Sequence, residues 1–160
     1  MSLKSEVDQL FLALVSSGNI RYNALPIGAG VAVVSDGAAA AWAYPAANLH
    51  VTIQAAGLLP ADPCWLVGIV ILNNNLEVAC YADLAIGFGV DAAGIDRAEF
   101  PYFNEIAAVA ASNLIMLAYY LPYPVRIAGN PRLAGRIRKS SAASGVGITV
   151  KVLVASAIGA

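Results

Sequence analysis

Hydrophobic and polar residues along this chain repeat with two periods, and the change between them falls at Gly18. In "LKSEVDQLFLALVSSG" the apolar positions Val7, Leu10, Phe11 and Leu14 recur at three- and four-residue spacing, which predicts a short amphipathic helix ending at the glycine. Two dispositions are open to it: an apolar arm docked on a neighbouring subunit, or a helix capping its own domain. Beyond Gly18, short segments often rich in Val and Ile are punctuated by Gly, Pro and Asn, the grammar of an all-β domain. "NLHVTIQAAG" alternates Leu49, Val51 and Ile53 with His50, Thr52 and Gln54, so it predicts a strand with one buried and one polar face. "CWLVGIVIL" is apolar almost without interruption, as expected of a strand covered on both faces.

Asn73 to Asn75 then supply residues that tolerate left-handed turn geometry, and "LEVACYADLAIGFG" reads as a return strand whose Leu76 to Phe88 apolar positions share one face. The two segments predict a hairpin. The stretch from Val90 to Glu105, with Asp91, Asp96, Glu99 and Glu105 around aromatics and Pro101, predicts a long excursion between strands. In "AAVAASNLIMLAYYL" a helical reading of the Ala-rich start competes with a strand, and the strand is preferred. "PVRIAG", "RLAGRIRKS" and "GITVKVLVAS" predict three more strands, separated by "GNP" and "SAASGV". With "IRYNAL", "GVAVVS" and "AAWAY" upstream the total is eight to ten strands, with no βαβ alternation. That predicts an all-β fold, a two-sheet antiparallel β-sandwich of jelly-roll type. Residues 1–18 form the N-terminal helix or arm and residues 19–160 a single sandwich domain.

Composition adds a constraint on the surface. A chain of 160 residues can bury about two-thirds of its unfolded surface in one domain. Hydrophobic residues make up 59% and charged residues 12%, against usual shares of about half and about a quarter. Such a chain either lies in a membrane or hides surface in an assembly. The longest uncharged segments are interrupted by Pro45, Asn48, His50 and Gln54 and by Ser112, Asn113, Pro122 and Pro124, so neither is the run of about 20 apolar residues that spans a bilayer. Glu6 and Asp8 precede the apolar stretch of the N-terminus, the wrong order for a signal peptide. The expectation is therefore no membrane partner and no signal peptide. A net charge of −1 excludes a globally basic nucleic-acid binder. Cys64 and Cys80 lie in no metal-ligand spacing and read as small buried residues or as a disulfide.

The positive charge gathers near the C-terminus, in "YPVRIAGNPRLAGRIRKSSAASGVGITVKVLV". Pro124, Val125, Ile127 and Gly129 form a strand and turn, Arg132, Leu133, Ala134, Gly135 and Arg136 a second strand, Ser140 to Gly145 a turn, and Ile148 to Val154 a final alternating strand. This segment resembles one near the C-terminus of small β-sandwich domains in tailed-phage virion and tail-associated proteins. The resemblance spans about 30 residues, and implies a non-enzymatic jelly-roll-like module in an oligomeric viral particle or fibre.

Side-chain alternation puts Arg132, Arg136 and Arg138 on one strand face and Leu133, Gly135 and Ile137 on the other. Guanidinium forks suit carboxylates and phosphates, and Asp91, Asp96 and Glu99 could supply carboxylates across a subunit boundary. A solvated strand face and a phosphate contact are the other readings of the row. Enzymatic chemistry lacks its residues: His50 is the single histidine and no GxSxG surrounds a serine, which leaves no serine triad. No catalytic residue, cofactor or metal site is expected. Aromatic platforms for sugar could come from Trp42, Tyr44, Trp65, Tyr81, Tyr102, Tyr119, Tyr120 or Tyr123. The function expected is thus a structural protein, not an enzyme. Its partners would be copies of itself, a trimer favoured, and other virion proteins; nucleic acid is not expected. A carbohydrate- or receptor-binding sandwich is the alternative.

Overall fold

A computed structural model describes residues 3–34, 51–60, 63–75, 81–89, 98–107, 117–139 and 147–158. One helix, α1 (Leu3–Ser16), precedes strands β1 (Ile20–Leu25), β2 (Val31–Val34), β3 (Val51–Gln54), β4 (Cys64–Asn75) and β5 (Tyr81–Gly89). β6 (Ala98–Ala107), β7 (Leu117–Ile127), β8 (Arg132–Lys139) and β9 (Gly147–Ala157) follow. Two antiparallel sheets result: β1-β9-β4-β7, with β2 also on β9, and β3-β8-β5-β6. β1 and β2 pair with successive stretches of β9, residues 152–157 and 147–150, so they act as one strand interrupted at residues 26–30.

The pairings β2 with β9, β3 with β8, β4 with β7 and β5 with β6 are nested. They describe one long hairpin, rolled so that β9 also meets β4 and β8 also meets β5. That is the jelly-roll wrap. The core fills the space between the sheets with Ile69, Ile71, Val150 and Val152 from one side and Leu84, Ile86, Leu133 and Ile137 from the other. Packing is close at Gly135 on the inner face, where a Cβ would lie 3.0 Å from Ile53, 3.2 Å from Val33 and 3.3 Å from Ile86. A larger residue there would prise the sheets apart.

Three expectations change. β4 and β5 form no hairpin: β4 pairs with β7 and β9, and β5 pairs with β6 and β8. Asn73 to Asn75 continue β4 opposite Thr149, Ile148 and Gly147, and the chain then crosses between sheets. The stretch from Val90 to Glu105 is an excursion only in part, because Ala98–Ala107 pairs with β5 as an edge strand. "NLIMLAYYL" and "PVRIAG" are one strand, β7, since prolines on an edge strand need not interrupt it. Periodicity is obeyed elsewhere: Ile53 is buried and Thr52 exposed, and Cys64 to Ile69 are buried on both faces of β4.

Candidate functional site

Two outer sheet faces carry the side chains of interest. On the β1-β9-β4-β7 sheet, alternation along β4 sends Leu66 and Ile69 into the core and Trp65 and Val67 outward. The helix covers part of that outer face. Phe11 meets the Trp65 ring edge-on, with centroids 5.6 Å apart at 71°, a favoured aromatic arrangement. Leu14 packs on the same cluster with Ile20, Leu153 and Ala155. Of the two dispositions open to the helix, it takes the one on its own domain. Trp65 is wholly buried, and its indole N–H has no hydrogen-bond partner among the described residues.

Beside Phe11 and Leu12 of the helix, a groove of about 610 Å³ opens. Its far wall comes from an irregularity in β7. Leu66 pairs with Val125 and Gly68 with Tyr120, so Val67 alone on β4 faces four residues, Leu121 to Pro124, on β7. Pro122 and Pro124 have no N–H to give the ladder, and the segment between the paired ends stands clear of β4. Gly68 makes the junction possible, since a Cβ at that position would collide with the Tyr119 carbonyl. Phe11 and Leu12 form the helix wall, Val67 lies in the groove lining, and Tyr22 reaches it from β1. Among the described residues no charged side chain lines the groove. Leu12 is 62%, Tyr22 56%, Tyr120 72% and Tyr123 57% exposed, and together they make an apolar, phenol-bearing surface rather than four isolated side chains.

The outer face of the β3-β8-β5-β6 sheet carries the arginine row. Arg132 and Arg136 are half-buried on β8 with Ala134 between them, and Arg132 donates from Nη1 to Thr52 Oγ1 on β3 at 3.1 Å. Register sets Arg136 opposite Ala85 and Arg138 opposite Asp83. Glu99 on β6 pairs with Gly87, and Gly87 pairs with Ala134. Glu99 therefore shares a sheet face with the row, two strands away or about 10 Å. Asp91 and Asp96 lie outside the described residues, as do His50, Cys80, Trp42 and Tyr44. Cys64 is a buried core residue.

Sequence reasoning missed Tyr22 and the register that sets Asp83 opposite Arg138. Period-two alternation in β5 and β8 could have flagged Asp83, while nothing local in "IRYNAL" marks Tyr22. Among the described residues no group of three or more His, Cys, Asp and Glu could hold a metal ion, and no helix is long and apolar enough to cross a membrane.

No family model and no curated protein matches the chain. Among solved structures it is similar to a chain from the structure of infectious bursal disease virus Gx strain, at 13% sequence identity and a TM-score of 0.36. The match covers 88% of this chain and 31% of that one, so this chain spans about a third of the length of its viral neighbour.

Proposed function

We propose that this protein is a non-enzymatic assembly subunit, a jelly roll that associates with copies of itself as a component of a virus particle, in the narrower form a tailed-phage capsid, decoration or tail protein. The observation that carries self-association is the groove itself, whose lining among the described residues is uncharged and where Leu12, Tyr22, Tyr120 and Tyr123 meet water together. Contiguous apolar surface of that kind marks interaction sites on soluble proteins, and 59% hydrophobic composition supports its burial against another subunit. The virion placement rests on analogy: jelly rolls serve in viral capsids and also in lectins, and fold does not dictate function. A closed ring, with a trimer expected, uses such a surface on every copy. The arginine row, with Glu99 on its face, would fix register between neighbours through charge-assisted pairs.

Light scattering behind a sizing column tests the reading. The protein should run as a stable oligomer, and the double variant Leu12→Asp, Tyr120→Asp should run as a folded monomer. An unchanged mass for that variant removes the groove from the interface, and a monomeric parent protein at every concentration ends the assembly reading. The second reading, a sugar- or receptor-binding sandwich, is favoured by the three exposed tyrosines around one groove, because phenol rings stack on sugar faces and donate hydrogen bonds at their rim. A monomer that binds on a glycan array, and loses binding in Tyr120→Ala, would select it.

A further inference from the structure

We propose that a second pocket, at the open edge of the sandwich beside β1, binds a small anionic amphiphile: one carboxylate or phosphate head on an aliphatic body. β1 is an edge strand. Its Ile20 packs outward on the Trp65 cluster and its Leu25 inward on the core, so Arg21 and Asn23, which alternate in step with Leu25, face the side between the sheets. There they line a pocket of about 400 Å³ with buried Leu25 and Leu59 and with Ser156, which is 4% exposed. That volume falls within the range of small-molecule sites, about 300–1,000 Å³, and the mixture of apolar lining with a few polar groups is typical of them.

The lining selects the ligand class. Among the described residues Arg21 is the one charged group in it, and there it has no ion pair or hydrogen bond. Arg21, Asn23 and Ser156 can all donate hydrogen bonds, so the matching head is an acceptor, and beside a guanidinium an anionic one. The remaining lining is aliphatic. Ile27, Leu58 and Ile158 are 90%, 64% and 51% exposed, and among the described residues no aromatic ring lines the pocket to stack on a sugar. An aliphatic tail is what such side chains can cover.

The pocket is also held in shape before any ligand arrives. Asn130 Oδ1 accepts the Leu59 N–H at 2.8 Å and the Asn130 carbonyl accepts the Gly57 N–H at 3.0 Å. Gln54 Nε2 donates to the Leu58 carbonyl at 2.9 Å, and the Ile158 N–H donates to the Asn19 carbonyl at 3.0 Å. Ordering of these loops is then not charged against binding. The sequence holds no run of about 20 apolar residues that would span a bilayer, and a lipid head taken by a pocket between loops needs none.

The experiment is an NMR titration of the intact protein with octanoate, octanol and octyltrimethylammonium, with flotation on phosphatidylglycerol and phosphatidylcholine vesicles as a second arm. Octanoate should bind saturably, shifting the amides of Arg21, Asn23 and Leu58, with the alcohol and the cation weaker by about tenfold or more, as expected for a hydrogen-bonded charge. Arg21→Gln should lose about tenfold in octanoate affinity, and Ile27→Ser about fivefold through lost apolar contact. Both residues are exposed, so neither variant should shift the melting temperature. Phosphatidylglycerol-dependent flotation lost in the same variants identifies a bilayer lipid as the source, and octanoate binding without flotation identifies a free amphiphile. Equal binding of octanol and octanoate, full binding by Arg21→Gln, or no saturable binding in either arm overturns the proposal. Arg21 would then be an inward-facing edge-strand charge that deters strand pairing.

Discussion

On the outer face of the β1-β9-β4-β7 sheet, Trp65 and Val67 lie beneath or beside a helix; on the outer face of the β3-β8-β5-β6 sheet, Ala85, Gly87 and Ala134 lie between arginines. Large apolar side chains need a second layer, and the chain supplies one in α1. Small ones do not, because the aliphatic stems of arginine can cover an alanine while the guanidinium stays at the surface. The helix covers only part of its face, and the groove beside it, with Tyr22, Tyr120 and Tyr123 around it, leaves the rest of that face open.

The contrast breaks most severely at Trp65. Trp65→Ala removes the residue on which Phe11 rests and should cost about 3–5 kcal/mol, read as a fall in the urea midpoint together with protease sensitivity of α1. A loss below 1 kcal/mol would mean that the helix cover contributes little. Gly68→Ala acts on the same face without touching the helix. Its new Cβ meets the Tyr119 carbonyl, so about 1–3 kcal/mol should be lost to overpacking, with altered fluorescence from the β7 tyrosines. On the opposite face Arg132→Ser deletes the bond to Thr52 and should cost about 0.5–1.5 kcal/mol. The triple change Arg132→Ser, Arg136→Ser, Arg138→Ser should weaken assembly while the domain stays folded; unchanged mass would confine the row to the domain's own sheet. Smallest in stability is Leu12→Asp with Tyr120→Asp, within about 0.5 kcal/mol in the monomer as for exposed sites, although it should have the largest effect on mass.

Much of the fold was legible because alternation is a local property. Val51 and Ile53 against Thr52 and Gln54, or the two-faced apolar run from Cys64 to Ile71, follow from the pleat alone. The helix over Leu3–Ser16 was legible for the same reason. What failed is what requires knowing which strand lies beside which. Three asparagines before an alternating run look alike whether the chain turns back in one sheet or crosses to the other, and here Asn75 still pairs with Gly147. Pro122 and Pro124 read as a break because the edge position that tolerates them is set by the remote partner β4. The candidate site was half visible. Tyr120 and Tyr123 stood in the inventory of aromatic platforms, and Arg132, Arg136 and Arg138 were placed on one face, but Tyr22 joins its groove from the far edge of the sheet, three strand spacings or about 14 Å away.

The position of β9 has a consequence for the chain as it leaves the ribosome. This strand lies between β1 and β2 on one side and β4 on the other, so the middle of its sheet is made from residues 147–157. Until they emerge, β4 and the first two strands have no common neighbour, and their apolar faces wait in the company of other nascent chains. Folding dominated by such distant pairings is slow and exposes unpaired edges meanwhile. A stop codon at Gly147 would therefore do more than shorten the protein: it would release a product with two open strand edges and a core without Ile148, Val150, Val152 and Val154, a substrate for aggregation or proteolysis rather than a slightly smaller sandwich.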